Sequence, residues 1–262
     1  MSISVNGTKA HAATGGMTPP AGAPTLIFIH GVGMDGTVWS MQSRYFARHG
    51  HRVLALDLPG HGQSEGLPLG AISEMAIWVA SFMDAAEVKT AVVVGHSMGA
   101  LVALHLASSQ PDRVIGLGLL GIADTMPIHP DLQAAADANQ ALAAELIADW
   151  GFSPDMHRGG HQLPGFWAMG AGLALLKNAK DGVLSAGLSA CAAFDTAVTA
   201  ARQVTCPTAL VLGEFDKMTP PNKTSGLVGA LPTSNTTLIP RAGHMMMVEK
   251  PYETGRALKT IL

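Results

Sequence analysis

Six short runs of β-branched and aliphatic residues recur along the chain: TLIFIH (25–30), RVLALD (52–57), AVVVGH (91–96), VIGLGLL (114–120), TALVLG (208–213) and TTLIP (236–240). Near-continuous apolarity leaves such strands no polar face. They must be buried on both sides, as in a parallel sheet covered by helices. Stretches of helical pattern lie between them, over 38–48, 70–86, 98–109, 222–231 and 251–262. The opening SISVNGTKAHAA predicts an antiparallel hairpin turning at Asn6-Gly7. The fold class is therefore α/β: a mostly parallel sheet of about eight strands, flanked by helices, with an antiparallel start.

One segment interrupts the alternation. From 122 to 204 no strand is predicted, only helical pattern broken by Gly and Pro. Leu142, Leu146 and Trp150 fall at helical spacing, as do Trp167, Leu173 and Leu176. This segment reads as a helical cap inserted after the sixth strand, leaving 1–121 and 205–262 as the core.

Composition excludes several function classes. Of the 262 residues 48% are hydrophobic and 13% charged, with a formal net charge of −3. Lys and Arg are scattered, so a nucleic-acid surface is not expected. The start lacks a charged region followed by an apolar one, so no signal peptide is expected, and the longest apolar run is too short to span a bilayer. Cys191 and Cys206 lack metal-ligand spacing, which fits a reducing, cytoplasmic setting. No metal or cofactor is expected. The oligomeric state is left open.

The chemistry concentrates in AVVVGHSMGALVAL (91–104). A strand ends, Gly95-His96-Ser97-Met98-Gly99 follows, and a helix begins. Such a sharp turn lifts a serine hydroxyl above the carboxyl edge of the sheet. Glycines two residues either side let strand and helix approach closely. The helix N-terminus behind Ser97 favours developing negative charge.

With these residues in view, the chain resembles the α/β-hydrolase superfamily, in its serine esterase and enol-lactonase-like branch. The motifs occur in the family's order: HGVG (30–33) with Trp39 in the next helix, DLPGHGQS (57–64), the Gly95–Gly99 turn, GEFD (213–216) and Gly243-His244. The family's order of nucleophile, acid and histidine then implies Ser97, Asp216 and His244. A rival acid is Asp124, after the sixth strand, where some relatives carry theirs. The resemblance implies an oxyanion hole from the backbone N–H groups of Val32 and Met98. His30 and His61 are expected to brace loops, and His96 to pack inside the turn. His157 and His161 are expected at the surface of the cap.

The nucleophile narrows the reaction. Dehalogenases and epoxide hydrolases of this fold use an aspartate where this chain has Ser97. Hydroxynitrile lyases keep the serine, and Lys177 and Lys180 do not single them out. Enzymes cleaving carbon–carbon bonds of ring-fission products usually carry Asn where His96 stands. Trp39 and Gln42 match a Trp-x-x-Gln pattern shared with enol-lactonases and serine haloperoxidases. The expected function is hydrolysis of a small-to-medium, largely apolar carboxylic ester or lactone through an acyl-enzyme. A carbon–carbon hydrolase or perhydrolase using the same triad, and a catalytically vestigial ligand-binding member of the fold, are the alternatives. Met34, Met98, Met156, Trp167, Met169 and Met245 are the expected apolar pocket.

Overall fold

The computed structural model describes residues 1–231 and 233–262. Its eight strands are β1 (Ser2–Val5), β2 (Thr8–Ala13), β3 (Thr25–Ile29), β4 (Arg52–Asp57), β5 (Ala91–His96), β6 (Val114–Leu120), β7 (Thr208–Gly213) and β8 (Ser234–Ile239). They form one sheet in the order β1-β2-β4-β3-β5-β6-β7-β8. The β1–β2 and β2–β4 pairs are antiparallel and all the others parallel.

Local chemistry accounts for the pieces. Asn6 and Gly7, with φ of 51° and 80°, make the two-residue turn whose twist suits a tight hairpin. Every residue of β3, β5 and β7 is buried, as their unbroken apolar runs require. The edge strand β8 differs. It begins at Ser234, two residues before the TTLIP run, and exposes Asn235 and Thr236. An edge strand pairs on one side alone, so polar residues can extend it.

Helices cover the sheet. Before β6 these are α1 (Ser40–Arg48), α2 (Ile72–Ala85) and α3 (Met98–Ser109). The segment between β6 and β7 carries α4 (Pro130–Asp137), α5 (Ala141–Gly151), α6 (Pro154–His157), α7 (Ala168–Lys177), α8 (Val183–Ala193) and α9 (Ala197–Ala201). After β7 come α10 (Ser225–Ala230), α11 (Met246–Glu249) and α12 (Pro251–Leu258). Helix α3 packs on β5, β6 and α2, while α1 and α12 pack on each other and on β4 and β7 respectively. Helix α5 touches α4 and α7, α4 touches α8, and α8 rests on α3. Among the described residues, no helix is long and apolar enough to cross a membrane.

Candidate active site

Ser97 joins β5 to α3 with φ 54° and ψ −118°, a left-handed conformation costing on the order of 1–3 kcal/mol for a side-chain-bearing residue. The turn persists because its surroundings over-determine it. The Ser97 N–H donates to the Leu120 carbonyl at 2.9 Å, and its own carbonyl accepts from Ala100 and Leu101 at 2.9 and 3.2 Å. A Cβ on Gly95 would collide with the Gly99 carbonyl, and one on Gly99 with the carbonyls of Ile29 and His30. Both positions must therefore be glycine. No hydrogen bond within the described residues takes up the N–H of Met98 or that of Val32. Met98 is the first residue of α3, where backbone donors lack helical acceptors.

The loops after β7 and β8 bring Asp216 and His244 together. His244 Nδ1 lies 2.8 Å from Asp216 Oδ2, and both side chains are buried. Asp216 Oδ1 accepts the N–H groups of Met218 and Thr219 at 2.9 and 2.8 Å, and Oδ2 also accepts the Thr219 hydroxyl at 2.7 Å. Burial opposes ionisation of this carboxyl. The adjacent His244 and the Thr219 bonds outweigh it and hold Asp216 below the usual carboxylate range. An ionised Asp216 accepts a proton-bearing Nδ1, which leaves the lone pair on Nε2. That Nε2 is buried and has no hydrogen-bond partner within the described residues.

Neighbouring groups hold the imidazole. His96 Nε2 donates to the His244 carbonyl at 2.9 Å, with the two rings 4.6 Å apart. Burial, reinforced by His244, pushes His96 down to about 3, so it stays neutral. Gly121, with φ 57°, faces His244 so closely that a Cβ would lie 2.9 Å from Cε1 and Nδ1.

The other sequence candidates lie elsewhere. Asp124 accepts the N–H groups of Gly226 and Leu227 at 2.9 and 2.8 Å and so caps α10, with no bond to His244. His30 donates through Nδ1 to the Gly31 carbonyl and accepts the Leu58 N–H, bracing two loops. His61 donates to the Pro59 carbonyl, and burial pushes it down to about 3. His161, expected to be exposed, is half-buried and donates to the Val248 carbonyl at 2.8 Å. His157 is exposed, with Nδ1 3.9 Å from Asp149.

Ser97 and His244 open into one cavity of about 360 Å³. Met34 and Val32 line it from the loop after β3, and Met218 from the loop after β7. The segment after β6 supplies Met126 and Ile128, α5 supplies Ile147 and Trp150, and α8 supplies Leu188 and Cys191. Lys217 and His129 are its charged or titratable additions. The expected pocket residues Met98, Met156, Trp167, Met169 and Met245 do not line this cavity. Met156 is buried in the core, while Trp167 precedes α7 with its ring folded against Gly170 and is 61% exposed. Met169 is half-buried on α7. Met245 instead lines a second apolar cavity with Phe152 and Met247.

Sequence reading also missed Thr219 and Glu249. Thr219 carried a weak signal, three residues past an acid in DKMTPP, the spacing of a side-chain-capped turn. Glu249 carried only its oddity, an acid after the apolar run MMMV. Among the described residues, no three His, Cys, Asp or Glu side chains gather as a metal-binding group.

A family model for the alpha/beta hydrolase fold matches residues 24–251. Over 100 residues the chain is 46% identical to the dihydrolipoyllysine-residue acetyltransferase component of the acetoin cleaving system of Cupriavidus necator. That stretch covers 38% of this chain and 26% of the relative, so the chain spans about a quarter of that protein. A pimeloyl-acyl-carrier-protein methyl ester esterase from Aromatoleum aromaticum is 29% identical over 257 residues, covering 91% of this chain and 98% of the relative. Among solved structures, the enol-lactonase of Burkholderia xenovorans superposes with a TM-score of 0.88, covering 99% of this chain and 98% of that one. At 21% identity this is a likeness of fold.

Proposed function

Because the chain belongs to the α/β-hydrolase fold family, we propose that it is a serine hydrolase cleaving small-to-medium, largely apolar carboxylic esters or lactones. The observation that carries this reading is a buried His244, held by Asp216 through Nδ1 and left with an unpartnered Nε2, lining the same cavity as Ser97.

In this mechanism His244 Nε2 accepts the Ser97 hydroxyl proton as Oγ attacks the acyl carbon. Asp216 keeps the proton on Nδ1 and stabilises the imidazolium that forms. The Val32 and Met98 N–H groups, free of other acceptors, receive the oxyanion at the N-terminus of α3. His244 then returns the proton to the leaving alkoxide, and a water activated the same way releases the acid. The apolar wall from the β6–β7 segment acts as a cap that holds the acyl group and excludes bulk water. The name of the Aromatoleum relative, a methyl ester esterase, supports an ester substrate.

A fluorophosphonate should label Ser97 covalently. Ser97→Ala should lose labelling and on the order of 10⁴–10⁶ in kcat on a short p-nitrophenyl ester. Undiminished turnover in that variant would end the serine-hydrolase reading. A panel of acyl esters, lactones and ring-fission products then separates ester, lactone and carbon–carbon bond cleavage.

A further inference from the structure

Glu249 is a fully buried acid that the chemistry above does not use. One oxygen, Oε1, accepts the Gly243 N–H at 3.1 Å, immediately before His244. The other, Oε2, accepts the Ser153 N–H at 3.1 Å, two residues beyond the end of α5. A second tie runs alongside, from the Met245 N–H to the Gly151 carbonyl at 3.2 Å. The backbone on both sides of His244 is therefore fastened to the last turn of the helix that sends Ile147 and Trp150 into the cavity wall. The approach is close: a Cβ on Gly243 would lie 2.6 Å from the Ser153 nitrogen and 2.8 Å from the Gly151 carbonyl.

We propose that Glu249 is a positioning residue, whose buried carboxylate makes the cavity wall of α5 and the loop of the general base a single mechanical unit. This rests on the serine-hydrolase reading of the site. An acyl group seated against Ile147 and Trp150 then bears on the same element that holds His244, so filling the cavity and setting the base are linked. A carboxylate suits the task because both oxygens accept, and the two groups to be joined are both donors. An amide cannot replace it, since its NH₂ would meet one of the two N–H groups donor to donor.

The test uses the full-length chain, a short p-nitrophenyl ester and a fluorophosphonate. Glu249→Gln should lower kcat and the rate of Ser97 phosphonylation by about ten- to a hundredfold, with KM within about twofold, because misplacing the base harms the reaction and not ground-state binding. Glu249→Asp isolates the span of the tie. The shorter carboxylate keeps its acceptors but cannot reach the Gly243 and Ser153 N–H groups together. It should lower kcat about three- to tenfold, less than Glu249→Gln, with KM again within about twofold. Should Glu249→Gln fail to fold, Glu249→Asp decides the matter by itself. Unchanged kcat in the folded variants, or a raised KM with kcat intact, overturns the inference and leaves the hydrolase reading standing. No labelling of Ser97 in the wild type overturns both.

Discussion

Asp216→Asn tests the proposed triad acid at the oxygen that faces His244. The carboxylate has its four bonds sorted by side: Oδ1 faces two backbone N–H donors, and Oδ2 faces His244 Nδ1 and the Thr219 hydroxyl. An amide placed there has two orientations. With its oxygen kept toward the Met218 and Thr219 N–H groups, its NH₂ faces His244 and donates to a bare Nδ1. The histidine proton then moves to Nε2, which can no longer take a proton from Ser97. The flipped amide would keep the useful tautomer, but it sets NH₂ against two buried N–H donors, at about 1–3 kcal/mol for each donor left unsatisfied. The backbone therefore selects the orientation that disables the base. The expected loss is about 10³–10⁴ in kcat, equivalent to about 4–5.5 kcal/mol of transition-state stabilisation. Steady-state kinetics on a chromogenic ester, beside a melting curve showing an intact fold, measures it. Asp124→Asn is the control, expected to lower stability by about 1 kcal/mol through weakened capping of α10 while leaving kcat within about twofold. If Asp216→Asn kept more than about a tenth of wild-type kcat, or the two variants exchanged behaviour, the tautomer argument would be wrong.

Three further outcomes are expected. His61 and His96 titrate near 6.5 when unfolded but are held at about 3 in the fold, so each opposes unfolding fully above pH 6.5 and progressively less as pH falls toward 3. Urea unfolding at pH 7 and pH 5 should show a loss on the order of 2 kcal/mol per histidine, and equal midpoints at both would contradict their buried neutral state. Gly121→Ala should lower kcat about ten- to a hundredfold, because both the positive φ and the His244 ring stand where the methyl must go; a normal kcat would mean the ring has room. Trp150→Ala should shift the best acyl substrate to longer chains, gaining roughly fourfold in kcat/KM per methylene newly buried, whereas Trp167→Ala should leave the chain-length profile in place.

The contrast between Trp150 and Trp167 marks where sequence stops informing. Strands such as TLIFIH and TALVLG are recognisable because two-sided burial leaves them no polar face, and Ser97 and Asp216 each stand just past such a strand, while His244 follows the half-exposed edge strand β8. A serine between glycines, an acid after GEF and a histidine after glycine thus share one edge of the sheet before any contact is known. The cavity wall obeys no such rule. ALAAELIADWG is apolar around most of its circumference, so its composition does not tell which side of α5 meets Ser97. Both tryptophans fall in helical patterns, yet Trp150 lines the cavity and Trp167 is largely exposed. Met245 shows the same limit over one peptide unit, since it adjoins His244 yet enters a different cavity. Glu249 was hidden for a different reason: its bonds run to Gly243 and Ser153, partners that only the folded chain brings near.

The sulfur in the cavity wall bears on which product the site can release. Met34, Met126 and Met218 line it together with Cys191, whose thiol burial pushes up to about 12 and so keeps protonated. A perhydrolase would set free a peracid within reach of three thioethers. Thioethers surrender an electron pair to active oxygen readily, and each sulfoxide so formed turns an apolar stretch of wall into a hydrogen-bonding one. Each such oxidation would alter the selectivity of the wall. An enzyme whose products are a carboxylic acid and an alcohol meets no such hazard, and it can use methionine's adaptability as wall material without wearing it away.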